Sequence, residues 1–122
     1  MRLIDLKNLS RPLSTPLKVV FCQSFLCRFR GLMMQPSIQP DRGLLLVEEK
    51  ESTINTAIHM FFMRFDIAAI WINAEQQVVD AKIACRWHPF YIPRYPARFI
   101  LETHPERLAD FQPGDQLSFV ND

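Results

Sequence analysis

Glycine is scarce, with three residues in a chain of 122, and that excludes a glycine-rich phosphate loop, which needs several within a few positions. An excess of one charge is also lacking. Fourteen basic against thirteen acidic side chains leave a formal net charge of +1, so a mainly electrostatic role on nucleic acid or on a membrane surface is not expected. No run of about 18 apolar residues exists to span a bilayer. The N-terminal MRLIDLKNLSRPLSTPLKVVF carries scattered charges in place of a signal-peptide core. Cys22, Cys27 and Cys85 are odd in number, which suits reduced thiols in a cytoplasmic protein better than a disulfide framework. Their spacing with His59, His88 and His104 matches no metal site, so neither a metal nor a cofactor is expected.

What the chain does have is apolar residues in strand-length runs. The longest lies in Ile54 to Asn73, INTAIHMFFMRFDIAAIWIN. Its second part, Ile67 to Ile72, is β-branched and aromatic with polar residues at both ends, which predicts a strand covered on both faces. Upstream, Ile58, Met60 and Phe62 alternate with His59, Phe61 and Met63, and Arg64 and Asp66 share a side if the chain stays extended. Each must then pair or reach water, at a strand break near Phe65.

The other elements follow in order. Residues 1–17 form an extended N-terminal segment, because Pro12 and Pro16 interrupt its leucines; residues 18–122 form a single β-rich domain. Lys18 to Cys22 reads as a strand, and Ser24 caps a short helix with Phe25, Phe29 and Leu32 on one face and Arg28 and Arg30 off it. Gly43 to Glu48 reads as a buried central strand, and Val78 to Cys85 completes a hairpin with Ile67 to Ile72. Residues 86–98 are an aromatic and proline-rich loop, since Pro89, Pro93 and Pro96 break any ladder. Phe99 to Glu102 is a strand, Thr103 with Glu106 makes a capping box for a second short helix, and Pro113-Gly114 forms a type II turn into a last strand, Leu117 to Val120. The expected fold is mostly β, a compact antiparallel barrel or sandwich with two short helices.

Five segments taken together resemble a known family. They are Arg28-Phe29-Arg30-Gly31-Leu32-Met33, Gly43-Leu44-Leu45, Ile58 to Phe65, Ile100-Leu101-Glu102 and Pro113-Gly114-Asp115. In this order, over roughly residues 18–121, the chain resembles the uncharacterised family known as domain of unknown function 192. The resemblance implies an antiparallel β barrel or sandwich with a short helix near each end, and no established activity. One departure stands out: where the family carries an acidic residue two positions after Asp66, this chain has Ala68.

Arg28, His59, Arg64, Trp87 and Tyr91 are the predicted ligand-binding residues, gathered at the mouth of the β structure. The leading expectation is a non-enzymatic module binding a small anionic ligand or a peptide there, with arginine supplying the anion contact. Two rivals are an enzyme of hydrolase type using His59 and Asp66 as an acid-base pair, and a structural interaction subunit. The sequence does not fix the oligomeric state.

Overall fold

A computed structural model describes residues 3–119. Val120, expected to end the last strand, lies outside the described residues, as do Met1, Arg2 and residues 121–122. Seven strands form one curled half-barrel sheet: β1 (Leu3–Asn8), β2 (Leu17–Cys22), β3 (Arg42–Ser52), β4 (Ile67–Ile72), β5 (Val78–Ala84), β6 (Ala97–Thr103) and β7 (Leu117–Ser118). With a six-residue helix α1 (Phe25–Arg30) and a 3-10 helix (Pro105–Asp110), the mostly-β fold with two short helices is the one expected.

The spatial order is β5-β4-β6-β3-β2-β1-β7. Every neighbouring pair is antiparallel except β2 and β3, which run parallel with Val20 opposite Leu44. A hairpin cannot join parallel strands, so residues 23–41, with α1 in them, make the crossover. The sheet curls until its ends meet, where Gln77 bridges Gln116 and the Leu117 N–H donates to Gln76 O at 2.8 Å.

Each face of the sheet carries its own apolar cluster, and β4 supplies both. Ala68, Ile70 and Ile72 join Leu45, Leu101 and Phe119 on one face; Ile67, Ala69 and Trp71 join Leu46, Met60 and Ile100 on the other. That is why β4 reads as an unbroken apolar run rather than an alternating one. The Trp71 indole N–H donates to Thr56 O at 2.7 Å, which satisfies its one polar atom within the core.

Three local expectations are corrected. The stretch before β4 does not stay extended to Phe65: Ile58 and Met60 are buried, but the chain turns at Phe61 and Phe62, leaving Phe62 exposed and Met63 buried. The second helix is capped by His104, whose Nδ1 accepts from the Glu106 N–H at 3.0 Å, while Thr103 ends β6 and donates to Arg42 O. Pro105 at the first helical position sets this boundary one residue later than a Thr103 cap requires. Cys22 and Cys27 are joined by a disulfide, and only Cys85 is free.

The N-terminal segment is more than a loop, because β1 lies inside the sheet between β2 and β7. The proline-containing connection after it is tied down by ions. Arg107, 2% exposed, donates to the Thr15 hydroxyl and to Thr15 O, and its Nε lies 3.1 Å from Asp110 Oδ2 as an ion pair without hydrogen-bond alignment. Asp110 also accepts from the Ser14 N–H and hydroxyl. Arg11 grips Asp115 through two hydrogen bonds of 2.7 and 3.0 Å. Burial pushes the Asp115 carboxyl up, but the donors Arg11, Asn8 and the Gln112 N–H outweigh it and hold the group below its ordinary value.

Candidate functional site

The crossover between β2 and β3 leaves a cleft of about 460 Å³ between α1, the 53–66 loop and the outer face of β3 and β6. A hollow of about 540 Å³ beside β1 is larger, but its walls come from the single segment 5–17 and it gathers no unpaired buried group. Only the first brings together distant parts of the chain.

Sequence dictates how α1 forms one wall. The Ser24 hydroxyl accepts from the Cys27 N–H at 3.1 Å, as a cap should. The helix ends at Gly31, with φ of +49°, where a side chain would be strained. The apolar face predicted for the helix exists but is not buried: Phe25 and Phe29 are 75% and 56% exposed, and α1 buries no residue. These rings stand on the cleft instead, in a row with Phe29 at 5.9 Å from His59 and His59 at 5.7 Å from Phe61.

Six residues are too few for a helix to persist alone, and the Cys22–Cys27 bond fastens α1 to the buried end of β2. Reducing that bond is expected to lower stability by roughly 2 kcal/mol on loop-closure grounds. Hydrogen exchange with and without reductant checks this: amides of 25–31 should lose protection first, and unchanged protection there would show that the tether is not what holds α1.

The polar groups differ sharply in how well they are partnered. Arg28 faces the sheet, ion-paired to Glu48 at 2.9 Å and donating to the Gln23 and Val47 carbonyls. Arg30, two residues on, lines the cleft with no partner among the described residues. His59 accepts at Nδ1 from the Phe61 N–H at 3.3 Å, so its neutral form carries the proton on Nε2, which has no partner among the described residues.

At the cleft's inner end stands Glu102, on the same face of β6 as Ile100 by strand alternation. It is 6% exposed, and among the described residues its carboxyl has neither a hydrogen bond nor an ion pair. Burial alone pushes its carboxyl up to about 7. A Cβ added at Gly31 would lie 3.2 Å from Glu102 Oε1, so Gly31 serves both its own backbone conformation and the space beside this carboxyl.

Of the predicted ligand-binding residues, Arg28 and His59 meet in the cleft, while Arg64, Trp87 and Tyr91 do not line it. Arg64 is exposed; Trp87 packs tilted against Phe62 with the ring centroids 5.2 Å apart; the half-buried Tyr91 pairs with Ile58 and its hydroxyl accepts from the Cys85 N–H. Asp66 is spent on Arg86, through its N–H at 2.9 Å and its guanidinium at 3.7 Å, so the structure does not bring His59 and Asp66 together. Phe62, Trp87 and Met34 all hold left-handed backbone, and the Met34 N–H donates to Phe62 O. Such conformations cost about 1–2 kcal/mol each for residues with a side chain.

The sequence offered Arg30 beside Arg28 as the helix's contribution to a polar pocket but did not carry it among the predicted ligand-binding residues, and it did not single out Glu102, which also lines the cleft. A carboxylate directly after the apolar run Phe99-Ile100-Leu101 was the available signal for the latter.

Residues 8–119 match the family DUF192, described as Uncharacterized ACR. A protein of Thermococcus gammatolerans named UPF0127 protein is 38% identical over 83% of this chain, and the chain spans 65% of that relative's length. A solved structure from Sinorhizobium meliloti, provisionally described as a transcription regulator, superimposes with a TM-score of 0.86 at 17% identity, covering 97% of this chain and 94% of its own. One of unknown function from Novosphingobium aromaticivorans does so with a TM-score of 0.78 at 14% identity, covering 96% and 84%. At these identities the two structures establish the fold alone.

Proposed function

Since this chain belongs to the DUF192 family, whose description names no activity, we propose from its cleft that it is a binding module for a small anionic ligand or a peptide end. The observation that carries this is Arg30, a guanidinium without a partner among the described residues, which lines a cleft of about 460 Å³ together with His59 and the exposed rings of Phe25 and Phe29. Apolar walls with a few convergent polar groups are the usual make-up of a small-molecule site. The segments on which the family resemblance rests also furnish most of these walls, from Arg28 to Met33, at Ile58 and His59, and at Ile100 and Glu102.

A thermal-shift screen with anionic metabolites and short peptides tests the proposal. A hit is expected, and Arg30→Ala should weaken it roughly tenfold, as loss of a charged hydrogen bond does, while Arg64→Ala leaves it unchanged. No shift at millimolar ligand would overturn it, and so would a hit that Arg30→Ala spares.

A catalytic reading has one observation in its favour, a cleft carboxyl that titrates near neutrality. The acid or base would then be Glu102 rather than Asp66. A role on nucleic acid draws no support from a net charge of +1. No helix among the described residues is long and apolar enough to cross a membrane. The cytoplasmic setting expected from the cysteine count remains part of the proposal, although the Cys22–Cys27 bond fits an oxidising compartment better.

A further inference from the structure

Resting on the binding reading above, we infer that the ligand carries a cationic nitrogen as well as an anionic group, the nitrogen seated on Glu102 at the inner end of the cleft and the anion met by Arg30 at its rim. The ligand class is therefore a small zwitterion, an amino acid or related amino-carboxylate.

Geometry carries the argument. Buried carboxylates in folded proteins are paired or hydrogen-bonded, because water is not there to solvate them. Glu102 is more than nine-tenths buried and its carboxyl lacks a protein donor among the described residues, while its oxygens keep contact with solvent where the residue lines the open cleft. A core glutamate with no role would be an uncompensated defect; one at the end of a cleft is an acceptor awaiting a donor. The protein does not fill the need itself. Arg28, which lines the same cleft, is bound to Glu48, and Gly31 supplies no side chain over the carboxyl. The other free charge of the cleft, Arg30, has the opposite sign, so the unsatisfied groups together describe a ligand with one charge of each sign.

The charged and titratable groups facing Glu102 across the cleft are Arg28 and Arg30 from α1, Glu48 from β3 and His59 from the 53–66 loop; β4, on its other side in the sheet, contributes none. Because burial lifts the Glu102 carboxyl to about 7, a cationic nitrogen must displace its proton at lower pH. Affinity for the zwitterion should then rise roughly tenfold per unit as pH approaches 7 from below, and level off above it. The slope counts only where Glu102→Gln removes it and His59→Gln does not.

The probes are ω-amino acids of three to eight carbons, with hexanoate and hexylamine as controls lacking the amine or the carboxylate. Calorimetric titration with the intact chain should show the best-fitting amino acid binding at least tenfold more tightly than either control. Glu102→Gln should erase the advantage over hexanoate, and Arg30→Ala the advantage over hexylamine, with circular dichroism confirming that both variants fold. If hexanoate binds through Arg30 as tightly as every amino acid, or Glu102→Gln leaves the zwitterion's affinity intact, the inference fails and the binding module stands. If no probe binds at ten-millimolar concentration while another anion does, the zwitterion class is wrong; if nothing binds at all, both fall.

Discussion

Arg107→Ala is expected to destabilise the protein by about 3–5 kcal/mol, the range for breaking a buried ion pair by removing one partner. That is a large share of the 5–15 kcal/mol that holds a domain of this size. The side chain is 2% exposed and joins three places at once, the hydroxyl and carbonyl of Thr15 and the carboxylate of Asp110. Truncation leaves a cavity, a Thr15 carbonyl without its donor, and an Asp110 carboxylate supported only by Ser14. Urea denaturation measures the loss. Arg107→Met, which keeps much of the volume without the charge, should recover part of it if packing contributes and none if the ionic network is everything. A loss under 1 kcal/mol for Arg107→Ala would mean that the 9–16 connection is not held to the fold by this residue. The same variant should admit proteases at that connection before the rest of the chain unfolds.

The contrast between what the sequence disclosed and what it hid follows the range of the interactions. β4 could be read because burial on both faces demands an unbroken apolar run, and Ile67 to Ile72 is one. The Ser24 cap and the turn at Pro113 and Gly114, where the Asp115 N–H closes on Gln112 O at 3.0 Å with Gly114 at φ of +96°, are settled within four residues. Arg107 could not be read: its partner Thr15 is 92 positions away, and nothing in the local pattern of the helix marks it as buried. The disulfide was hidden for a different reason. Counting cysteines bears on compartment and framework, whereas Cys22 and Cys27 meet because β2 ends where α1 begins, with their Cα atoms 5.6 Å apart.

The site was half legible by the same rule. Arg28 and His59, which line the cleft, were singled out because they sit in distinctive short segments. Arg64 follows His59 by five residues and looked like its companion, but the turn at Phe61 and Phe62 carries it out to solvent. The parallel pairing of β2 and β3 is what sets α1 over the outer face of β6, and no local pattern announces that a crossover will bring Gly31 against Glu102.

Glu102→Gln is expected to raise stability by only about 1 kcal/mol at pH 5 and by about 3 kcal/mol at pH 8. The sign follows from linkage. In the unfolded chain the carboxyl titrates at 4.5, and in the fold burial lifts it to about 7. Below 4.5 both states hold the proton and its burial costs little extra. Between the two values the unfolded state ionises while the folded state resists, so stability falls as pH rises, and above 7 the full difference of about 2.5 units, at roughly 1.4 kcal/mol per unit, has been lost. Glutamine has the same shape and no titration, so its denaturation midpoints should be flat across that window where the wild type slopes. Urea titrations at half-unit steps from pH 5 to 8 measure both slopes, and parallel slopes would show that Glu102 is solvated or paired in solution. The outcome also bears on function. A residue whose replacement stabilises the fold at physiological pH is not there to hold it together. If the same substitution costs ligand affinity, the strain of a buried, unpartnered carboxylate is what makes the empty cleft receptive, since a bound cation would lower that carboxyl's titration and restore the stability which ionisation removes.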